Sequence, residues 1–190
     1  MKIRAMSKGN RKGYCVAIFL GLFMASFTMP QQSSKLQEKI DNAIVTTYGV
    51  EDFSLEPIII PEEMNQATKA EFSGEHFYEI VNSNGVLGYA YVGTAASMKK
   101  EFEYILMFNT DLSIKKSKVL IYRENYGRQI GSQRWLKQFI GLTPNDELTY
   151  GKNIDAIAGA TISASSMTRA TDEILQSIKT LKEQNIIPLK

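Results

Sequence analysis

Asp155-Ala156-Ile157-Ala158-Gly159-Ala160-Thr161, running on into Ile162-Ser163-Ala164-Ser165-Ser166, is the stretch whose residue types and spacing point to chemistry. Gly159 and Ala160 give a backbone with almost no side-chain bulk, and Thr161 ends it with a nucleophilic hydroxyl. An apolar-periodic segment begins directly behind it. A small-residue approach, a hydroxyl and a helix start together make a seat for a phosphate, because free backbone N–H groups and the helix dipole favour an anion there. Ser163, Ser165 and Ser166 add hydroxyl donors in the same turn. The same arrangement presents a threonine oxygen to an enzyme that modifies it. Thr-x-Ser before an apolar helix is also an ordinary cap, so Thr161 alone leaves both readings open.

The rest of the composition removes competing chemistries. His76 is the only histidine and Cys15 the only cysteine of the 190 residues. That argues against a thiolate metal site, a disulfide, and most zinc, haem or histidine-based triad chemistry. No acid–base pair is evident, so the sequence names no catalytic residue and no metal ligand. The net charge is +2, with Lys2, Arg4, Lys8, Arg11 and Lys12 concentrated at the start. The remainder of the chain is slightly acidic and carries no basic stripe of the kind that binds nucleic acid.

Those five cations precede an uncharged apolar run over residues 14–29. The run is a little long for a signal-peptide core and short of the about 20 residues that span a bilayer comfortably. Residues 1–30 read as a signal peptide or N-terminal membrane anchor, and both readings export the remainder because the positive end stays inside. The expected location is periplasmic, either free or membrane-anchored. About 160 residues then remain, one domain of ordinary size.

The elements that must position Thr161 emerge from periodicity. Ser34 with Gln37 has the capping-box pattern, and Leu36, Ile40, Ala43 and Ile44 recur at helical spacing up to Gly49. Residues 55–60 form a short edge strand marked by Pro57, and Pro61-Glu62-Glu63 starts a short helix. Residues 76–81 and 86–92 flank a glycine-bearing turn as one hairpin; 102–108 and 114–122 form a second. Tyr89, Tyr91 and Tyr104 fit half-buried strand positions. Trp135, Leu136, Phe139 and Ile140 fall at helical offsets, predicting a helix over 130–140. Met167, Ala170, Ile174, Ile178 and Leu181 mark one face of a C-terminal helix that ends before Pro188. The fold class expected is α+β, an antiparallel sheet of hairpins packed with helices. The divisions are a leader (1–30), an N-terminal helix and connector (31–73), the main domain (74–182) and a tail (183–190).

At this point the residues resemble a known family. Asp155-x-x-Ala158-Gly159-Ala160-Thr161 is similar to the flavinylation sequence of the FMN-binding domain in small flavin subunits of bacterial sodium-translocating NADH:quinone reductase and Rnf-type complexes. Gly85 to Val92, residues 102–122, Glu124-Asn125-Tyr126-Gly127 and Trp135-Leu136-Lys137-Gln138-Phe139 extend the resemblance across roughly 74–182. It implies FMN held as a phosphoester on Thr161, installed from FAD by a magnesium-dependent FMN transferase. Asp155, Gly159 and Ala160 become the recognition elements, Ser163 a neighbour of the phosphate and Ile162 a cofactor-binding residue, while Tyr126-Gly127 reads either as a simple turn after a strand or as a loop that lets the flavin lie close. Ala158 departs from the family, which usually has Ser or Thr there. The implied function is a membrane-associated electron carrier serving membrane redox partner proteins, rather than a self-sufficient reductase. A non-redox binding or regulatory module with an unused flavin site is the other class compatible with these residues.

Overall fold

The computed structural model describes residues 34–74 and 76–187. The leader read over 1–30, Glu75 and Pro188 lie outside them. The order of elements is α1 (Ser34–Tyr48), β1 (Ser54–Pro57), α2 (Glu62–Gln66), β2 (Phe77–Asn82), β3 (Gly85–Ala96), β4 (Glu101–Phe108), β5 (Ile114–Ile121), α3 (Gln133–Leu136) and α4 (Thr161–Glu183). The five strands form one antiparallel sheet in sequence order, β1-β2-β3-β4-β5. The class is α+β, as expected.

Both faces of the sheet are covered, which is why β4 reads as an almost continuous apolar run rather than an alternating one. Tyr78, Ile80, Ala90, Val92, Ile105 and Met107 face α1, whose Ile40, Ala43 and Ile44 are completely buried against them. Phe77, Tyr89, Tyr91, Tyr104, Leu106 and Phe108 face the other way, into a core closed by Met167, Ile174, Leu175, Ile178 and Leu181 of α4. The three tyrosines expected at half-buried positions are therefore core residues, at most 5 % exposed. Gly49 has φ +70° and ends α1. Gln37 donates to Asp41 within the helix.

The helix expected over 130–140 is broken into shorter pieces. A 3-10 turn over Arg128–Gly131, α3, and a second 3-10 turn over Lys137–Phe139 replace it. Ser132 is extended (ψ 131°), and this interrupts the coil after Gly131. Ile130, Trp135, Leu136 and Phe139 still all reach the core. A set of short turns satisfies the same apolar spacing as one helix would.

Where α1 meets the sheet, Tyr48 donates a hydrogen bond to the Phe108 carbonyl at 2.7 Å, passing over Gly88 of β3. Burial pushes the Tyr48 hydroxyl well above its ordinary pKa. A Cβ at position 88 would lie 2.1 Å from the Phe108 carbonyl oxygen and 2.6 Å from the Tyr48 hydroxyl. Backbone cannot retreat from such a contact cheaply. Gly88→Ala is expected to cost about 3 kcal/mol, and Tyr48→Phe about 1 kcal/mol, both read by denaturant unfolding. Equal stability of Gly88→Ala and wild type would refute the packing described.

Candidate functional site

One extra residue in β5 sets the aim of the site. Val119 pairs with Tyr104 and packs on the α4 side of the sheet, but the register then slips, so that Ile121 rather than Leu120 continues the ladder opposite Glu103. Leu120 and Ile121 both turn toward the α1 face. The next residue, Tyr122, consequently returns to the α4 side, where strict alternation would have sent it away. There its ring lies against Phe102, with centroids 5.6 Å apart, and its hydroxyl sits 3.0 Å from the Ser163 hydroxyl.

Three loops converge on that point to enclose a cleft of about 560 Å³. They are the β3–β4 connection at 97–100, the segment 122–127 after β5, and residues 159–163 at the start of α4. The last loop is built by a reverse turn in which the Ala160 amide donates to the Ile157 carbonyl at 3.2 Å and Gly159 takes φ +77°. A positive φ at the third residue of such a turn calls for glycine. The turn is held from outside. Trp135 donates its indole N–H to the Asp155 carbonyl at 2.7 Å, Gln138 accepts from the Asp155 amide at 2.8 Å, and Tyr150 accepts from the Ile157 amide.

Thr161 is the first residue of α4, exposed, and lines the cleft. Its hydroxyl has no hydrogen-bond partner among the described residues. The N-cap is Ala160, which supplies no side-chain bond to the helix. Alanine is among the poorest caps, about 1 kcal/mol worse than Ser, Thr, Asp or Asn. The 23-residue α4 thus begins with its first amides unanswered by any side chain, beside a free hydroxyl.

Tyr126, Gly127, Gly159, Ala160, Thr161, Ile162 and Ser163 all line the cleft. Asp155 does not: its backbone is pinned as described, and its side chain is exposed outside the lining. Ser163 is 3 % exposed and engaged with Tyr122. Ser166 is turned elsewhere, accepting from the Ala96 amide at 3.0 Å to tie β3 to α4, and Ser165 lies outside the lining. Gly127 has φ +73°, and a Cβ there would meet the Tyr122 hydroxyl at 2.8 Å and the Gly159 carbonyl oxygen at 3.2 Å. The glycine lets the 126–127 loop close onto the turn that presents Thr161.

Met98, Lys99, Lys100, Tyr122, Glu124 and Asn125 complete the wall and were not singled out from the sequence as site residues. Nothing marks a loop tip before a strand, and the slip that aims Tyr122 has no sequence signature; the one signal for Tyr122 and for Glu124-Asn125 is that they fall inside the stretches of the family resemblance. Met98 (71 %), Tyr126 (84 %) and Ile162 (53 %) are among the few exposed large apolar side chains, and all three border this cleft. Arg123 lines it as well but is committed to Glu103.

Glu124 shapes the 97–100 loop. Its carboxylate accepts from the Lys99 amide at 2.6 Å, the Ser97 hydroxyl at 2.8 Å and the Lys100 amide at 3.0 Å. The Lys99 amide first, then the Ser97 hydroxyl, hold it below the ordinary glutamate range. A carboxylate depressed in the fold contributes order above its unfolded pKa and loses it as pH falls through the folded value. The Lys99 and Lys100 amide resonances are therefore expected to hold still on acidification until below the usual glutamate range of about 4.3, then shift together. In Glu124→Gln they should start displaced and show no such step. Gly127→Ala is expected to lose about 1–2 kcal/mol through the positive φ and the close contacts, and to widen the cleft. A variant as stable as wild type by thermal unfolding would contradict this.

No curated protein matches the chain. The family model described as the FMN-binding domain matches residues 98–176. That stretch begins at Met98 on the rim of the cleft, contains every lining residue, and ends within α4. Over these residues the chain is similar to the FMN-binding domain family, and that match supports flavin binding.

Proposed function

We propose that the protein is an electron-transfer flavoprotein that carries FMN covalently on Thr161 through a phosphoester, acting outside the cytoplasm at a membrane. The observation that carries this reading is the free Thr161 hydroxyl at an uncapped helix start, inside the FMN-binding domain match. A phosphate esterified there would meet unanswered α4 amides, and its charge would offset the weak Ala160 cap. The residues present fit the group. The volume of about 560 Å³ suits a flavin nucleotide. Gly127 and Gly159 bring bare backbone to the cleft, and Met98, Tyr126 and Ile162 offer apolar surface for a flat ring. Lys99 and Lys100 line the same wall and balance the phosphate charge.

FMN supplies the electron chemistry when bound; the chain orients it and excludes water from one side. Tyr122 and Ser163 fix the floor through their shared hydrogen bond. Asp155 has its backbone locked and its carboxylate exposed, which suits recognition by an FMN transferase better than contact with the flavin. Ala158 occupies an exposed turn position outside the lining, so the hydroxyl that the family usually has there is not one the cleft requires. Electrons would pass to and from membrane redox partner proteins across the open side.

Co-expression with an FMN transferase, followed by intact mass measurement, is expected to show a gain equal to FMN less one water. Thr161→Ala should abolish that gain and leave the protein colourless, while Ala158→Ser should leave the extent of labelling unchanged. A flavin that survives denaturation in Thr161→Ala would sink the attachment, and a wild type that never gains mass or colour would favour a non-redox module.

A further inference from the structure

A second cavity, of about 330 Å³, opens on the same side of the sheet further along α4. Its helix wall, Ala170, Glu173 and Ile174, lies about 14–20 Å along the axis from Thr161. Its sheet wall is Tyr91, Gly93, Thr94 and Tyr104, with His76 beside Tyr91. Gly93 lets the two tyrosines fold over the strand, since a Cβ there would stand 2.7 Å from the Tyr91 ring and 2.9 Å from the Tyr104 hydroxyl. The Tyr91 hydroxyl is satisfied, donating to the Glu71 carbonyl at 2.8 Å. Tyr104 differs. It is 2 % exposed, lines the cavity, and its hydroxyl has no hydrogen-bond partner among the described residues. The ring is deeply placed while the hydroxyl opens into the cavity, where water or a ligand can satisfy it.

The surroundings select the ligand. The His76 Nδ1 lies 2.9 Å from the Val92 carbonyl, so it must donate, and Nε2 is left as an acceptor in the neutral ring. Glu173 carries a carboxylate whose nearest cation, Arg169, stands 4.0 Å away on a largely exposed side chain. Lys69 at the rim directs its ammonium to Gln176. Burial first, and then neighbouring negative charge including that of Glu173, hold both tyrosine hydroxyls above their ordinary range. The lining is acceptor-rich, flanked by aromatic faces, and carries two carboxylates, Glu71 and Glu173, against the one ammonium of Lys69, which are conditions that hold a further cation. Among the described residues no group of three His, Cys, Asp or Glu could hold a metal ion, so an organic cation is the class that fits.

We infer that this second cavity binds a small organic ammonium ion, its head group on the Tyr104 hydroxyl and the Glu173 carboxylate. The inference does not depend on the role of Thr161. Titrating n-butylammonium chloride into the full chain is expected to give saturable shifts of the Gly93 and Thr94 amide resonances, beyond those from sodium chloride at equal ionic strength. n-Butanol, of the same shape without charge, should give none. Tyr104→Phe, which removes an unpartnered hydroxyl and so keeps the fold, should weaken binding about fivefold. Glu173→Gln should weaken it about as much. Shifts that do not saturate, equal shifts with n-butanol, or unchanged affinity in both variants would overturn the site.

Discussion

The docking of α4 across one face of the sheet is the constraint on which the rest of the molecule depends. Met167, Ile174, Leu175, Ile178 and Leu181 are each at most 1 % exposed, and their burial is worth about 10 kcal/mol in gross transfer free energy. Apolar burial alone would tolerate a helix that slides. Three polar side chains fix its position instead. Ser166 accepts from the Ala96 amide at the end of β3, Asp172 from the Leu148 amide, and Ser177 from the Lys69 and Ala70 amides. Each such bond contributes about 1 kcal/mol, less than one buried leucine, yet together they place the first turn of α4 to within a hydrogen-bond length. The exposed Thr161 hydroxyl is thus presented by a helix anchored along its length at Ser166, Asp172 and Ser177.

The same economy of means governs the opposite wall. The slip between Glu103 and Tyr104 in the β4–β5 ladder costs some regular pairing, and it turns Tyr122 toward Ser163. Glu124 then gathers the 97–100 loop with three hydrogen bonds from one carboxylate. Stability is given up at defined places here: an alanine cap, three exposed apolar side chains and a bulge. All of them border the cleft. Elsewhere among the described residues the ladders slip at Ile80/Val81 and at Met107/Phe108, Leu112 and Asn185 take positive φ, Ile59 and Ile140 are exposed, and Ser117 holds the one fully enclosed side-chain oxygen without a hydrogen-bond partner. What distinguishes the cleft is that a weak cap, exposed apolar side chains and the slip that aims Tyr122 act on the same few residues, which fits its being shaped for a ligand.

Much of this was legible in the sequence, for definite reasons. The hairpins declared themselves because Asn82-Ser83-Asn84-Gly85 and Asn109-Thr110-Asp111 interrupt apolar runs with turn-forming residues. The last helix was visible because its apolar face repeats from Met167 to Leu181. Of the site, the segment 159–163 and Tyr126-Gly127 could be named because small residues, a hydroxyl and the family resemblance coincide. Tyr122 could not, because its direction is set by a register slip that two-residue periodicity conceals. The short turns around Trp135 were also hidden, because residues that bury the same side chains produce one pattern whether the backbone is one helix or three pieces. Tyr91 and Tyr104 looked half-buried because a phenol suits an interface, and only the arrival of α4 from far along the chain covers them.

Phe102 joins these parts physically. Fully buried, its ring packs on Tyr122 at 5.6 Å and on Tyr104 at 6.4 Å, so one side chain touches a lining residue of each cavity. Close-packed interiors transmit small displacements rather than absorb them. Tyr104, Phe102, Tyr122 and Ser163 form one run of side-chain contacts from the second cavity to the first turn of α4. The two cavities have separate linings, but α4 contributes a wall to each and this ring lies between Tyr122 and Tyr104.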